Sequence, residues 1–216
     1  MVEATELEAH DLAALLCSRV CHDIISPVGA IINGLEVLEE EDAGDMKEVA
    51  FDLIRKSANQ ASAKLQFARL AFGAAGSAGA EIDLADAEKV ARGLMDGEKA
   101  DLSWEAPPAL MAKNRVKLLL NVLLIAISAV PRGGAIKVAV SEPIDTPTFR
   151  FECIGPSARV PPALERLVPG DIAGETIDAH AVQPYYTGLL ARLSRMRVAG
   201  SAENGDLVVI TVRPVA

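Results

Sequence analysis

His22 has the neighbours that chemistry would need. It lies in the run Ser18-Arg19-Val20-Cys21-His22-Asp23-Ile24-Ile25-Ser26-Pro27-Val28-Gly29-Ala30-Ile31, with a carboxylate directly after it, a hydroxyl one helical turn on and a proline five positions on. A neutral imidazole nitrogen is a nucleophile and a general base. Asp23 can orient the ring through its other nitrogen or accept its proton, and Ser26 reaches along the same helical face. Pro27 has no amide N–H, so it distorts the helix close to the reactive residue. A lone helical histidine is more often a partly exposed residue with no task; the acidic, hydroxyl and proline neighbours together reverse that reading. Cys17 and Cys21, four apart on the same segment, raise a metal site. A closed tetrahedral site needs four ligands, and His10 and His180 lack ligand spacing, so small buried thiols are expected, as for Cys153.

The element that must carry these residues is a long amphipathic helix over residues 6–40. Leu12, Leu16, Val20, Ile24, Pro27, Ile31, Leu35 and Leu38 recur at three- and four-residue steps. Thr5 and Glu8 have capping-box spacing, and the acidic, glycine-containing stretch 39–45 reads as a turn. A second helix is expected over 46–72, with Val49, Leu53, Ile54, Ala58, Ala61, Leu65, Ala68 and Leu70 facing the first. Two such helices form an antiparallel hairpin that cannot enclose a core alone, so a second copy completing a four-helix bundle is the economical answer. On a helical wheel His22, Ser26, Gly29, Asn33 and Glu36 form a narrow, small and polar stripe. With Ile25 it is the expected partner-binding surface.

The small-residue run 74–80 reads as a hinge between a hairpin domain, 1–73, and a second domain, 81–216. The second domain reads as a helix over 83–95, a strand at 102–105, a helix over 114–130, strands at 135–140 and 148–153, a short helix near 161–167, a helix over 183–196 and a last strand at 207–212. That order predicts an α/β sandwich with one sheet face covered. The overall class is α + α/β.

Composition narrows the function. A formal net charge of -9 disfavours a phosphate backbone as partner, so no nucleic acid is expected. No apolar run reaches the roughly 18 residues that span a bilayer, and no leader pattern opens the chain, which predicts a cytoplasmic protein without a membrane partner. Three cysteines fit a reducing compartment.

The run around His22 resembles the phosphoacceptor box of sensor histidine kinases, where a histidine on the first helix of a dimeric hairpin precedes an acidic residue and a later proline. Phosphoryl transfer suits such a site, because it needs mainly positioning and charge stabilisation. Residues 116–138 resemble the Asn box of the kinase ATP-binding (Bergerat-type) domain. Asn121 is kept, but Ile125 stands at the metal-ligand position, and a hard cation needs oxygen. Residues 152–162 stand where kinases use an adenine-reading Asp, and no Asp is present. In Gln183-Pro184-Tyr185-Tyr186-Thr187-Gly188, one phosphate-loop glycine remains.

Together with the Pro131-Arg132-Gly133-Gly134 turn, these features resemble the ChpT family of phosphotransferases. The resemblance implies a homodimer in which His22 is the phosphoacceptor, Asp23 the orienting or basic group, and Ser26 a nearby hydroxyl. It implies as partners the receiver domain of a CckA-type hybrid histidine kinase and response regulators of the CtrA and CpdR types. No cofactor or metal would be bound by this chain, the Mg2+ being supplied by the receiver. An active but divergent kinase and a non-catalytic dimeric adaptor are the alternatives.

Overall fold

The computed structural model describes residues 7–40, 44–73, 80–170 and 177–215. Helices α1 (Ala9–Glu39) and α2 (Met46–Ala71) pack as a hairpin. Thr5 of the expected capping box lies outside the described residues, and Glu8, at the N-cap, makes no side-chain cap bond. Residues 41–43 of the turn and 74–79 of the hinge also lie outside them. The helices meet through small residues: Ala50, Ser57 and Ala61 are buried on α2, and Pro27 and Gly34 on α1. A Cβ on Gly34 would sit 2.6 Å from Ile54 Cγ1, so this approach needs glycine.

That geometry corrects the expected pairing stripe. Val49, Leu53 and Leu65 of α2 and Leu35 of α1 face outward, 59%, 41%, 49% and 48% exposed. Small side chains let the helices approach closely, which turns the larger apolar residues onto an open face. Nine large apolar side chains of the described hairpin are exposed there and beside it: Ile25, Val28, Ile32, Leu35, Met46, Val49, Phe51, Leu53 and Leu65. By length and composition alone α1 is also long and apolar enough to cross a membrane. Its apolarity divides between a stripe on α2 and the open face.

The rest of the chain is built on a five-stranded mixed sheet. Strands β2 (Ala100–Glu105), β4 (Gly134–Val140), β5 (Phe149–Ile154), β6 (Met196–Asn204) and β7 (Leu207–Pro214) run in the order β2-β4-β5-β7-β6, with β2 and β4 parallel and the other pairs antiparallel. Short β1 (Glu81–Asp83) pairs with β3 (Leu110–Ala112). Helices α3 (Leu84–Met95), α4 (Lys113–Ala129) and α6 (Val182–Leu193), with the single turn α5 (Pro162–Glu165), complete the domain. Alternate strand residues Ile136, Val138, Phe149, Phe151, Val208 and Ile210 point into one core with Leu118, Leu119 and Leu123 of α4. The opposite face carries ion pairs such as Lys137–Glu105 at 2.9 Å, so one face is covered, as expected.

Three strands were not expected. β1 and β3 have three residues each, too few for a period to register. β6 is an edge strand whose residues after Val198 are all exposed, so no alternation marks it. The helix expected to reach Met196 stops at Leu193, where Arg195 takes a left-handed φ of 52° and starts β6.

Candidate functional site

His22 lies on α1 with its side chain 59% exposed. Its Nδ1 stands 3.5 Å from Asp23 Oδ1. The other carboxylate oxygen, Oδ2, accepts a hydrogen bond from Arg19 Nε at 2.9 Å. Asp23 is therefore held firmly by the guanidinium one turn earlier and touches the imidazole more loosely. With Nδ1 on the carboxylate side, Nε2 is the distal nitrogen, the one available to a partner.

Pro27 explains a further residue that sequence reasoning missed. In a regular helix its amide would bond the carbonyl of Asp23, but proline has no N–H. Lys64 of α2 takes that place, its Nζ donating to Asp23 O at 3.2 Å. A cation thus caps the carbonyl that the proline frees, beside the histidine. A small cavity of about 90 Å³ joins Arg19, Asp23 and Lys64 to Glu98 and Leu124 of the second domain.

A second histidine, dismissed as a ligand in the sequence, stands at the site. The His180 ring centroid is 4.7 Å from that of His22, with the planes at 78°. The stretch carrying it is tied down by Asp178, whose Oδ1 accepts from His180 N at 2.9 Å and Ala181 N at 2.8 Å. These backbone donors, Ala181 first, hold the Asp178 carboxyl below its ordinary value. No local sequence signal joins residues so far apart in the chain.

Of the expected stripe, Ser26, Asn33 and Glu36 are exposed and Gly29 is half-buried; Ile25 is 69% exposed. A Cβ on Gly29 would meet nothing within 4 Å, so the strip is open to approach. Cys17 and Cys21 are exposed, not buried as expected, because they lie on the outward apolar face with Val28 and Leu35. Cys153 is buried as expected, and burial pushes its thiol up to about 12.

The positions that the kinase resemblance aligns with a nucleotide site are occupied by the protein itself. Asn121 is fully buried, and its Nδ2 donates to Ala71 O at 3.0 Å and Lys117 O at 2.9 Å. Gln183 Nε2 donates to Asn121 O at 2.9 Å and Oδ1 at 3.1 Å, and lies 3.1 Å from Thr187 Oγ1. Ile125 is packed in the core. The Cβ missing from Gly188 leaves room for the Val168 carbonyl. Tyr185 OH accepts from Leu7 N at 3.1 Å, and the Tyr186 ring lies 6.0 Å from that of Phe72. Residues that would read a nucleotide in the kinase resemblance here fasten the hairpin to the second domain.

Residues 84–206 match the histidine phosphotransferase C-terminal domain model, and the chain belongs to the histidine phosphotransferase family. Within it, the chain is similar to Protein phosphotransferase ChpT of Brucella abortus (strain 2308), 53% identical over 202 residues that cover 94% of this chain and 95% of that protein. A solved bacterial phosphotransferase, 48% identical, superposes with a TM-score of 0.89 over 97% of this chain and 99% of that one. The ChpT-family resemblance read from the sequence is borne out.

Proposed function

We propose that the chain is a dimeric, cytoplasmic phosphorelay protein in which Nε2 of His22 accepts the phosphoryl group of a receiver domain's aspartyl phosphate and passes it to a second receiver. The aspartyl O–P bond breaks as the Nε2–P bond forms. Nδ1 keeps its proton on the Asp23 side, where the carboxylate offsets the positive charge left on the ring. Ser26, one turn along, is within range of a phosphoryl oxygen. The observation that carries this reading is an exposed imidazole, oriented by a tethered carboxylate, on a strip whose Gly29 leaves space for a partner backbone. Ile25, Asn33 and Glu36 would border that partner. Mg2+ would come with the receiver's acidic pocket. By the family resemblance, the donor is a CckA-type hybrid kinase receiver and the acceptors are regulators of the CtrA and CpdR types.

The homodimer rests on the open apolar face of the hairpin. Each of those side chains is about half exposed, so covering it contributes roughly 1 kcal/mol, and several together favour a second copy. The relay is tested by incubating the protein with receiver carrying labelled phosphate. Wild type takes up acid-labile, base-stable label and His22→Gln takes up none; equal labelling of the variant refutes the assignment.

A further inference from the structure

An imidazole on the outside of a helix ordinarily samples several rotamers. Transfer from an aspartyl phosphate needs the attacking nitrogen within about 3 to 3.5 Å of phosphorus and in line with the breaking bond, so ring freedom slows the reaction. Asp23 alone restrains His22 weakly: the Nδ1 to Oδ1 separation is 3.5 Å, and the carboxylate's shorter bond goes to Arg19. Among the described residues His180 also touches the ring, in edge contact at 4.7 Å between centroids.

The backbone that carries His180 is held in place. Asp178 binds the His180 backbone N–H and that of Ala181 at the start of α6. Further along α6, Gln183 is bonded to Asn121 and Tyr185 to the backbone of Leu7, just before α1. The helix that follows His180 is therefore fixed to both the second domain and the hairpin.

We propose that His180 is a positioning residue for phosphotransfer, its ring limiting the rotamers of His22 so that Nε2 stays presented to the partner. This rests on the relay reading of His22. It gives the second domain a part in the reaction that involves no nucleotide: its α6 entry supplies one wall of the phosphoacceptor site.

The test compares His180→Ala and His180→Phe with wild type, each measured for maximal transfer rate from labelled receiver, for the receiver concentration giving half that rate, and for thermal unfolding. An aromatic edge contact of ordinary strength predicts that His180→Ala lowers the maximal rate by about three- to tenfold. The half-saturating receiver concentration stays within about twofold, since a ring restraint acts on the reacting geometry and not on docking. His180→Phe keeps a ring of similar shape and restores most of the rate. With only three histidines in the chain, 15N-imidazole spectra supply a readout independent of transfer: the His22 signals shift in His180→Ala and not in a distant control, His10→Ala.

A wild-type rate in His180→Ala overturns the proposal, as does a loss confined to receiver affinity, which would make His180 a docking residue. A Phe variant as slow as the Ala variant overturns the ring-contact mechanism. Should wild type itself take up no label, the relay reading falls, and unshifted His22 signals in His180→Ala would separately remove the contact.

Discussion

Pro27 and Lys64 should behave as one device, which a double-mutant cycle can measure. Pro27 leaves the Asp23 carbonyl without its helical donor, and Lys64 Nζ supplies one from α2 at 3.2 Å. A hydrogen bond to a charged donor contributes about 1.5–3 kcal/mol when buried. Lys64 is half-buried, so solvent screening reduces this to about 1 kcal/mol for Lys64→Met. In a chain of this length that lowers Tm by about 2–4 °C. Pro27→Ala restores an amide N–H to the same carbonyl, and in that background Lys64→Met should cost less than about 0.3 kcal/mol. The coupling of roughly 0.7–1 kcal/mol exceeds the scatter of about 0.3–0.5 kcal/mol expected for independent sites. Urea or thermal unfolding of the four proteins, at one protomer concentration because assembly contributes to stability, gives the number. If Lys64→Met costs the same in the wild-type and Pro27→Ala backgrounds, the lysine is not replacing the missing amide.

Asp23→Asn should slow phosphoryl uptake by roughly 10²-fold, the low end for an orienting group given its 3.5 Å separation from the ring; a loss as complete as that of His22→Gln in a labelled-receiver assay would mean a larger role. Gly29→Arg should block uptake from a receiver without lowering Tm, because the added side chain enters open space and the helix loses a glycine; wild-type uptake would place docking elsewhere. Gln183→Leu strands the buried Oδ1 of Asn121 and should cost about 1–3 kcal/mol, read as a Tm lowered by roughly 2–10 °C; an unchanged Tm would show the network to be dispensable. Cys153 stays protonated in the fold up to about 12 while the unfolded thiol ionises from its ordinary 9.0, so its contribution is complete below pH 9 and is lost as pH rises toward 12. Between about pH 8 and pH 10, wild type should lose about 1.4 kcal/mol of stability relative to Cys153→Ala, and parallel pH profiles of the two would contradict the burial argument.

The hairpin was legible because long helices repeat their pattern many times. Leu16, Val20, Ile24 and Ile31 mark α1 correctly, and on α2 the expected stripe holds at Ile54 and Ala61 but fails at Val49, Leu53 and Leu65, because apolar size alone does not say which face packs inward. Ala50, Ser57 and Ala61 make the contact, and their smallness, not their hydropathy, is the signal. His22 and Asp23 could be found because they are adjacent in a recognisable run. Lys64 could have been found from Pro27, since the proline announces an orphaned carbonyl one turn back, though not which residue of α2 would reach it. His180 could not: its link to His22 depends on where the α6 entry lies against α1, a tertiary fact with no local trace. β6 escaped because an edge strand exposed along most of its length has no alternation to read.

The three faces of α1 limit how a partner can reach the histidine. One face, through Pro27 and Gly34, is spent on α2. A second, carrying Val28, Ile32 and Leu35, is apolar and open, and in the proposed dimer a second copy covers it. The third holds His22, Ser26, Gly29, Asn33 and Glu36. The clamp from Ala71 through Asn121 to Gln183, and the bond from Leu7 to Tyr185, tie the C-terminal end of α2 and the segment leading into α1 to the second domain. That fixes His180 at one end of the third face and leaves the Gly29 end clear. In the proposed relay, the second domain then holds the hairpin and bounds the approach, so that a receiver entering along the open strip meets an imidazole already turned toward it.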